Sequence, residues 1–346
     1  MRYRRPAEWE PHTATWLSWP HNARDWPGKF APVRWVFAEM IRYISRGERV
    51  RLLVRDAAQA KHAATCLQKV GTDLSQIDFI EVPTNRGWTR DLGPLFVKNE
   101  QGNTLIARYH FNAWANYPDF QLDNAVPDVV AARFGFSLVH PRYHGKPVIL
   151  EGGAIDVNGH GTLLTTEECL VHPDIQVRNP GMTKADYESS FRETFGVTQT
   201  IWLGEGIMGD DTHGHVDDLC RFVNPSTVVL IQEDDVYDDN YARLQENRER
   251  LEGLRLANGE SLAVVPLPMP RPLFFNGIRV PASYANFYIG NTVVLVPTFN
   301  DPNDRIALGI LEELFPDRDV VGIYCGDLIW GFGAIHCLTQ EEPVSC

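Results

Sequence analysis

One pattern recurs along this chain and restricts its fold more than any single motif: a β-like run, a turn, a second β-like run, an amphipathic helical stretch and a third β-like run. The clearest copy has runs at 219–223 and 227–232 around an Asn224-Pro225 turn, a helix over 238–254 charged on one face, and a strand at 262–265. A second has 284–289, the Gly290-Asn291 turn, 292–296, a helix over 304–315 and a strand at 319–324. A third has 148–157, the Asn158-Gly159 turn, 162–166, a helix over 184–195 and a strand at 198–203. A fourth has 95–98, the Gln101-Gly102 turn, 104–111, a helix over 124–134 and a strand at 137–140. Repeats at a spacing of about 50 to 70 residues predict a ring or an array rather than an open sheet, because each unit has an apolar face that only its neighbours can cover. The two ends of the chain supply a fifth copy: a strand at 334–338 beside 14–19, a helix over 33–45 and a closing strand at 50–54, which together would lock a ring shut. An extra helix at 56–70 and an extra strand at 77–82 complete the elements. No Pro/Gly/Ser-rich linker divides residues 1–346, so the expected class is α/β, one fivefold ring in a single domain.

With 346 residues, 44% of them apolar, the chain can fill a substantial core. A formal charge of -13 and a pI near 5.3 argue against nucleic acid as the main partner, since phosphates want basic surface; they mildly favour a cationic small substrate, although solubility alone is the commoner reason for such acidity. No apolar stretch follows Arg2, Arg4 and Arg5, and no run approaches the thickness of a bilayer; cytoplasmic residence without a membrane partner is the expectation. Of the six cysteines, Cys66, Cys169, Cys220, Cys325 and Cys346 sit in apolar or unremarkable surroundings, with no C-x-x-C pair and no short zinc spacing, and most are expected to be reduced and buried. The residues carry no signal of oligomeric state; a homodimer is the default, dimers being the commonest soluble assembly.

The sixth cysteine, Cys337, is different, because it follows a glycine-rich bend at Gly331 and Gly333. A thiol is the most nucleophilic ordinary side chain near neutral pH, and glycines let backbone and substrate approach it closely. Asp91, Glu151, Asp217 and Cys337 each fall beside the first strand of a repeat, and in a ring such equivalent positions converge on the axis. In the loop 209–218, His215 can serve as general acid and base, and Asp217 projects the same way if the backbone is extended; the plain alternative is a solvated acidic loop. His213, His215 and Asp217 also have the H-x-H-x-D spacing of metal-dependent hydrolases, although position 218 is Asp rather than a third histidine. Asp91 either pairs with its neighbour Arg90 or joins Asp217 as two carboxylates that accept the forked N–H groups of a guanidinium. Glu151, just before Gly152 and Gly153, could hold the His215 imidazole, accept an N–H from substrate, or merely cap a turn.

Together these stretches resemble the agmatine deiminase family, relatives of the bacterial-type peptidylarginine deiminases within the guanidine-modifying pentein superfamily. The likeness spans nearly the whole chain: PAEWEP at 6–11, WLSWPHN at 16–22, WTRDLGP at 88–94, FNAW at 111–114, EGG at 151–153, DDT and GHVD within 210–217, and IHC with TQ within 335–340. The resemblance implies a fivefold pseudosymmetric β/α propeller. It also implies Cys337 as nucleophile, His215 as acid and base, Asp91 and Asp217 as the guanidinium clamp, Glu151 as support for amidine and imidazole, and Trp88 and Trp114 as walls for the aliphatic stem. The implied reaction is hydrolysis of agmatine, a small cationic guanidine, to N-carbamoylputrescine and ammonia through a covalent thiouronium, a step of putrescine biosynthesis. A C-terminal peptidylarginine or free arginine is the alternative substrate. No metal, nucleotide or organic cofactor is called for. Three places differ from the residues usual in the family: His213 for Asp or Asn, Ala334 for Asn, and Ala115-Asn116 for a glycine-rich segment.

Overall fold

The computed structural model describes residues 3–345, and within it five sheets of three or more strands share one plan. A first strand pairs antiparallel with a second, a helix follows, and a third strand returns parallel to the second. The parallel return needs a crossover, which is why a helix sits between those two strands. Cys220–Asn224, Thr227–Gln232 and Ala263–Pro268 form one sheet with helix Asn240–Leu251. Tyr288–Ile289, Val293–Thr298 and Asp319–Tyr324 form the next with helix Asn303–Leu314. Asp156–Val157, Thr162–Thr166 and Gln199–Leu203 flank helix Lys184–Phe195, which opens on a reciprocal cap between Thr183 and Asp186. Leu95–Asn99, Thr104–Ala107 and Leu138–Val139 accompany helix Gln121–Phe134, and Tyr3–Arg4 adds an antiparallel edge to that sheet. The result is a fivefold β/α propeller.

The fifth blade joins the two ends of the chain, with a corrected first strand. Residues 334–338 are not that strand. Gln340–Pro343 pairs antiparallel with His12–Ser18, placing Gln340 opposite Trp16, while His336–Leu338 forms a single 3-10 turn. His12–Ser18 then continues in parallel to Arg49–Val54 and on to the extra strand Ile77–Glu81, covered by helices Phe30–Ile44 and Ala57–Lys69. The run at 148–157 is also mostly not strand, since Gly152–Ala154 is a 3-10 turn and only Asp156–Val157 enters the ladder. Likewise only Tyr288–Ile289 of 284–289 is strand. Two short hairpins, Arg142–Tyr143 with Lys146–Pro147 and Phe274–Phe275 with Ile278–Arg279, are additions to the repeat.

The centre of the ring holds charge rather than hydrocarbon. Arg5 meets Glu341 at 3.0 Å, Arg90 meets Glu341 at 2.7 Å and Glu8 at 2.9 Å, and Arg221 meets Glu8 at 2.9 Å and Asp156 at 3.5 Å. All six are buried. Removing one partner of a buried pair strands the other charge, at a cost of about 3–5 kcal/mol. The pairs therefore tie together segments that lie far apart in sequence. Arg90 is thus spent on Glu8 and Glu341, not on its neighbour Asp91. No helix among the described residues is long and apolar enough to cross a membrane.

Candidate active site

Four of the five blades present a one-turn helix just before their first strand, and each turn carries or adjoins a side chain singled out in the sequence: Thr89–Leu92 with Asp91, Gly152–Ala154 after Glu151, Val216–Asp218 with Asp217, and His336–Leu338 with Cys337. In the remaining blade the same place, two residues ahead of Tyr288–Ile289, holds Asn286. Equivalent positions converge, as a ring requires. The Asn286 amide donates to Cys337 Sγ at 3.1 Å and to Asp218 at 2.9 Å, while its carbonyl oxygen accepts the backbone N–H of His336 at 2.9 Å. Sequence reading passed over Asn286, because it placed that residue inside a strand over 284–289.

The imidazole of His215 stands at the middle. Its Nδ1 lies 3.9 Å from Asp91 and from Asp217, and its Nε2 lies 3.9 Å from Glu151. Asp217 faces the same way as His215 because the chain turns at Val216–Asp218, not because the backbone is extended. Asp210 builds the turn by accepting the backbone N–H groups of Gly214 and His215 at 2.8 and 2.9 Å. Gly153 is required here by space: a Cβ on it would lie 2.5 Å from His215 Nδ1, 3.0 Å from Asp91 and 3.1 Å from Asp217. Gly333 plays the same part beside the thiol, where a Cβ would come within 2.7 Å of the Trp88 ring and 3.2 Å of Cys337 Cβ.

Both Asp91 oxygens are held, one by Trp114 Nε1 at 2.9 Å and the other by the Gly153 backbone N–H at 3.0 Å. Trp114 therefore fixes the Asp91 carboxylate as well as lining the cavity. It sits in a left-handed stretch, with φ of 51°, 58° and 54° at Ala113, Trp114 and Ala115, a conformation costing about 1–2 kcal/mol per non-glycine residue. Asn112 accepts the Ala115 N–H and Gln176 donates to the Trp114 carbonyl, which holds the strained turn in place. Glu151 Oε1 accepts from Arg178 Nε at 3.1 Å, a residue outside the motifs recognised in the sequence.

Four buried atoms around this centre have no hydrogen-bond partner: both ring nitrogens of His215, Oε2 of Glu151 and Oδ1 of Asp217. Buried polar groups normally are paired, so a set of unpaired donors and acceptors facing one another marks a place for a polar ligand. Cys337, Asp91, Trp88 and Trp114 open onto a cavity of about 640 Å³, whose outer part is lined by Arg24, Asp25, Arg86, Asp119, Asp211, Phe275 and Trp330 among others. Arg24 and Arg86 lie outside the recognised motifs, yet folding brings both to the cavity. Arg86 is committed to Asp119, donating to its carboxylate and its carbonyl at 2.8 Å each.

Burial and charge in this small space shift Cys337, His215, Asp91 and Asp217. Burial pushes the Cys337 thiol well above the ordinary cysteine value, and Asp217, Asp218 and Asp91 push the same way. Burial works against charging His215, but Asp91, the Cys169 thiol and Asp217 outweigh it and raise the imidazole well above its usual value. Asp91 is pushed up to about 6 by burial, with His215 opposing and Asp217 and Glu151 adding to the rise. Asp217 is lowered despite burial, because His336 donates to it.

Two sets of side chains have the spacing of a metal site: Glu151, Cys169 and His215, and Asp217, Asp218 and Cys337, with ligand atoms within 4.8 Å of one another in each. Neither contains His213. Its Nδ1 lies 3.1 Å from the Glu168 carbonyl and its ring is edge-on to His172, so His213, His215 and Asp217 do not converge as an H-x-H-x-D site. Cys169 is less of a bystander than the sequence suggested, lying beside His215 and Glu151. Cys66, Cys169, Cys220, Cys325 and Cys337 are free and buried, and Cys346 lies outside the described residues.

Comparison with known proteins places this arrangement among relatives. The family model for Porphyromonas-type peptidyl-arginine deiminase matches residues 4–343. Agmatine deiminase of Stutzerimonas stutzeri is 36% identical over 364 residues, covering 99% of this chain and 95% of that protein, and agmatine deiminase of Pseudomonas aeruginosa is similar to the same extent. Among solved structures, agmatine deiminase of Enterococcus faecalis superposes with a TM-score of 0.89 at 31% identity, covering 99% of this chain and 96% of that one.

Proposed function

Since the chain belongs to the family of Porphyromonas-type peptidyl-arginine deiminases, we propose that it is an agmatine deiminase, hydrolysing agmatine to N-carbamoylputrescine and ammonia. The observation that carries this reading is the meeting of one thiol, one imidazole and three carboxylates around unpaired buried atoms, two of these groups, Cys337 and Asp91, lining a cavity.

A guanidinium is a poor electrophile because resonance spreads its charge, so the site has to grip the cation and present an anionic sulfur. Asp91 and Asp217 accept its N–H groups, and Trp88 and Trp114 flank the aliphatic stem. Docking the cation offsets the carboxylates that hold the thiol up, which favours the Cys337 thiolate where it is needed. Sulfur attacks the central carbon, giving a neutral tetrahedral adduct. His215 as imidazolium gives its proton to one amino group, ammonia leaves, and a cationic S-alkylthiouronium remains. The neutral imidazole then takes a proton from water as that water attacks the same carbon. Collapse of the second adduct breaks the C–S bond and returns the thiolate, while the hydroxyl proton passes to solvent and the neutral ureido product is released. Every step uses side chains of this chain.

Agmatine differs from arginine in lacking a carboxylate, and the outer cavity favours a cationic tail. Asp25, Asp119 and Asp211 stand there against Arg24 and Arg86, and Arg86 is already bonded to Asp119. Ammonia release measured with agmatine, arginine and short peptides ending in arginine tests the assignment. Agmatine should be turned over at least about 100-fold more efficiently, a difference of the size expected when a site must desolvate an unmatched charge. Faster turnover of a C-terminal peptidylarginine would replace agmatine with that substrate.

The clamp also sets an acid limit. With Asp91 near 6, kcat/KM should fall about tenfold per pH unit below pH 6, because the protonated carboxyl no longer attracts the cation. Asp91→Asn should lower the plateau and remove that limb from the pH profile. A limb unchanged in the variant would assign it to another group.

A further inference from the structure

His336 is buried and takes no part in the chemistry above, yet both of its ring nitrogens face carboxylates. Nδ1 lies 2.7 Å from Asp217 Oδ2 and Nε2 lies 2.8 Å from Glu8 Oε2. Glu8 is itself held by Arg90 and Arg221 at 2.9 Å each and by the Ile289 N–H at 2.9 Å, and these partners keep it ionised, so it can only accept. We propose that His336 is a positioning residue that donates from both ring nitrogens, anchored by Glu8 on one side, and thereby fixes Asp217 with its free Oδ1 turned to the substrate.

The geometry favours this over simple packing. Asp217 Oδ1 is the clamp atom left unpartnered, and Oδ2, the atom His336 holds, is also the one 3.8 Å from Cys337 Sγ. Without the anchor, the carboxylate could rotate about its χ angles toward the thiol or toward His215. The anchor also carries the N-terminal segment into the site, through a contact that spans 328 residues of sequence. The His336 backbone is pinned independently, its N–H donating to Asn286 Oδ1 and its carbonyl accepting from Arg90, so side-chain substitutions leave the turn supported.

This proposal rests on Asp217 being a clamp for the cation, and its test separates the two. An asparagine amide nitrogen takes the place of histidine Nδ1 and a glutamine amide nitrogen that of Nε2. His336→Asn should therefore keep the bond to Asp217, and His336→Gln only the bond to Glu8. The readout is alkylation of Cys337 by chloroacetamidine, an amidinium, divided by alkylation by neutral iodoacetamide. In each case sulfur displaces the halide, and only the first reagent needs the clamp. The ratio in His336→Gln should fall at least about tenfold below wild type, with KM for agmatine rising by a similar factor, while His336→Asn stays within about threefold. Equal losses in both variants, or none in either, would overturn the positioning role. Should His336→Gln fail to fold, a tenfold fall in His336→Asn overturns it and a ratio within threefold supports it. A wild-type protein with no preference for the amidinium would remove the clamp reading itself, and this proposal with it.

Discussion

Cys337→Ser should leave a folded protein that binds agmatine and releases essentially no ammonia, with kcat reduced by at least about 10⁴-fold. The sulfur is buried, and three acidic side chains press its pKa upward, so even the thiol depends on the bound cation to ionise. A serine hydroxyl starts far higher on the pKa scale and meets the same field; the cation cannot bring it within reach of ionisation. The substitution is nearly isosteric and Asn286 can still donate to the new oxygen, so stability should change by only about 1 kcal/mol. Ammonia release and calorimetric titration with agmatine read the two quantities separately. Residual turnover above about one per cent would end the covalent mechanism.

His215→Asn should lower kcat by about 10²–10⁴-fold, the usual contribution of a positioned acid and base, with KM moving much less. The imidazole lies 3.9 Å from each of Asp91, Asp217 and Glu151, and its raised pKa favours the protonated form, which the proposed first step needs. That protonated state is lost only as pH climbs through the raised value, so wild-type activity should persist well above the ordinary histidine pKa. The same group must be neutral to activate water, which makes the second step the more exposed to its loss. Mass spectrometry of the variant mixed with agmatine should find Cys337 carrying the substrate less ammonia for longer than in wild type. A kcat within tenfold of wild type would move the acid and base role to another residue.

Much of the propeller is legible in the chain because its repeat is written in local periodicity. Thr227–Gln232, Asp319–Tyr324 and helix Lys184–Phe195 lie where alternation and helical spacing put them. The misread stretches, 148–157, 284–289 and 334–338, share one place in the repeat: the apolar run that leads into a first strand. Apolar residues there look like strand, but the chain is turned inward by polar partners elsewhere, as when Arg90 bonds the His336 carbonyl and Ser283 bonds the Asp218 carbonyl.

Sequence alone singled out the candidate reacting groups: Asp91, Glu151, Asp217 and Cys337 stand out by residue type and by comparable position in a repeat, and His215 by its place in the loop 209–218. It could not supply the residues whose meaning lies in who they meet. Asn286 and Arg178 are ordinary in the chain, and Glu8 and His336 mark motifs without disclosing their partners, which for His336 include Asp217, 119 residues away. Only the closed ring decided that Arg90 faces Glu8 and Glu341 rather than Asp91, and that Arg24 and Arg86 reach the cavity. The reason is physical: periodicity and propensity act over a few residues, whereas the pairing of buried charges is settled by distances that exist only after all five blades have packed.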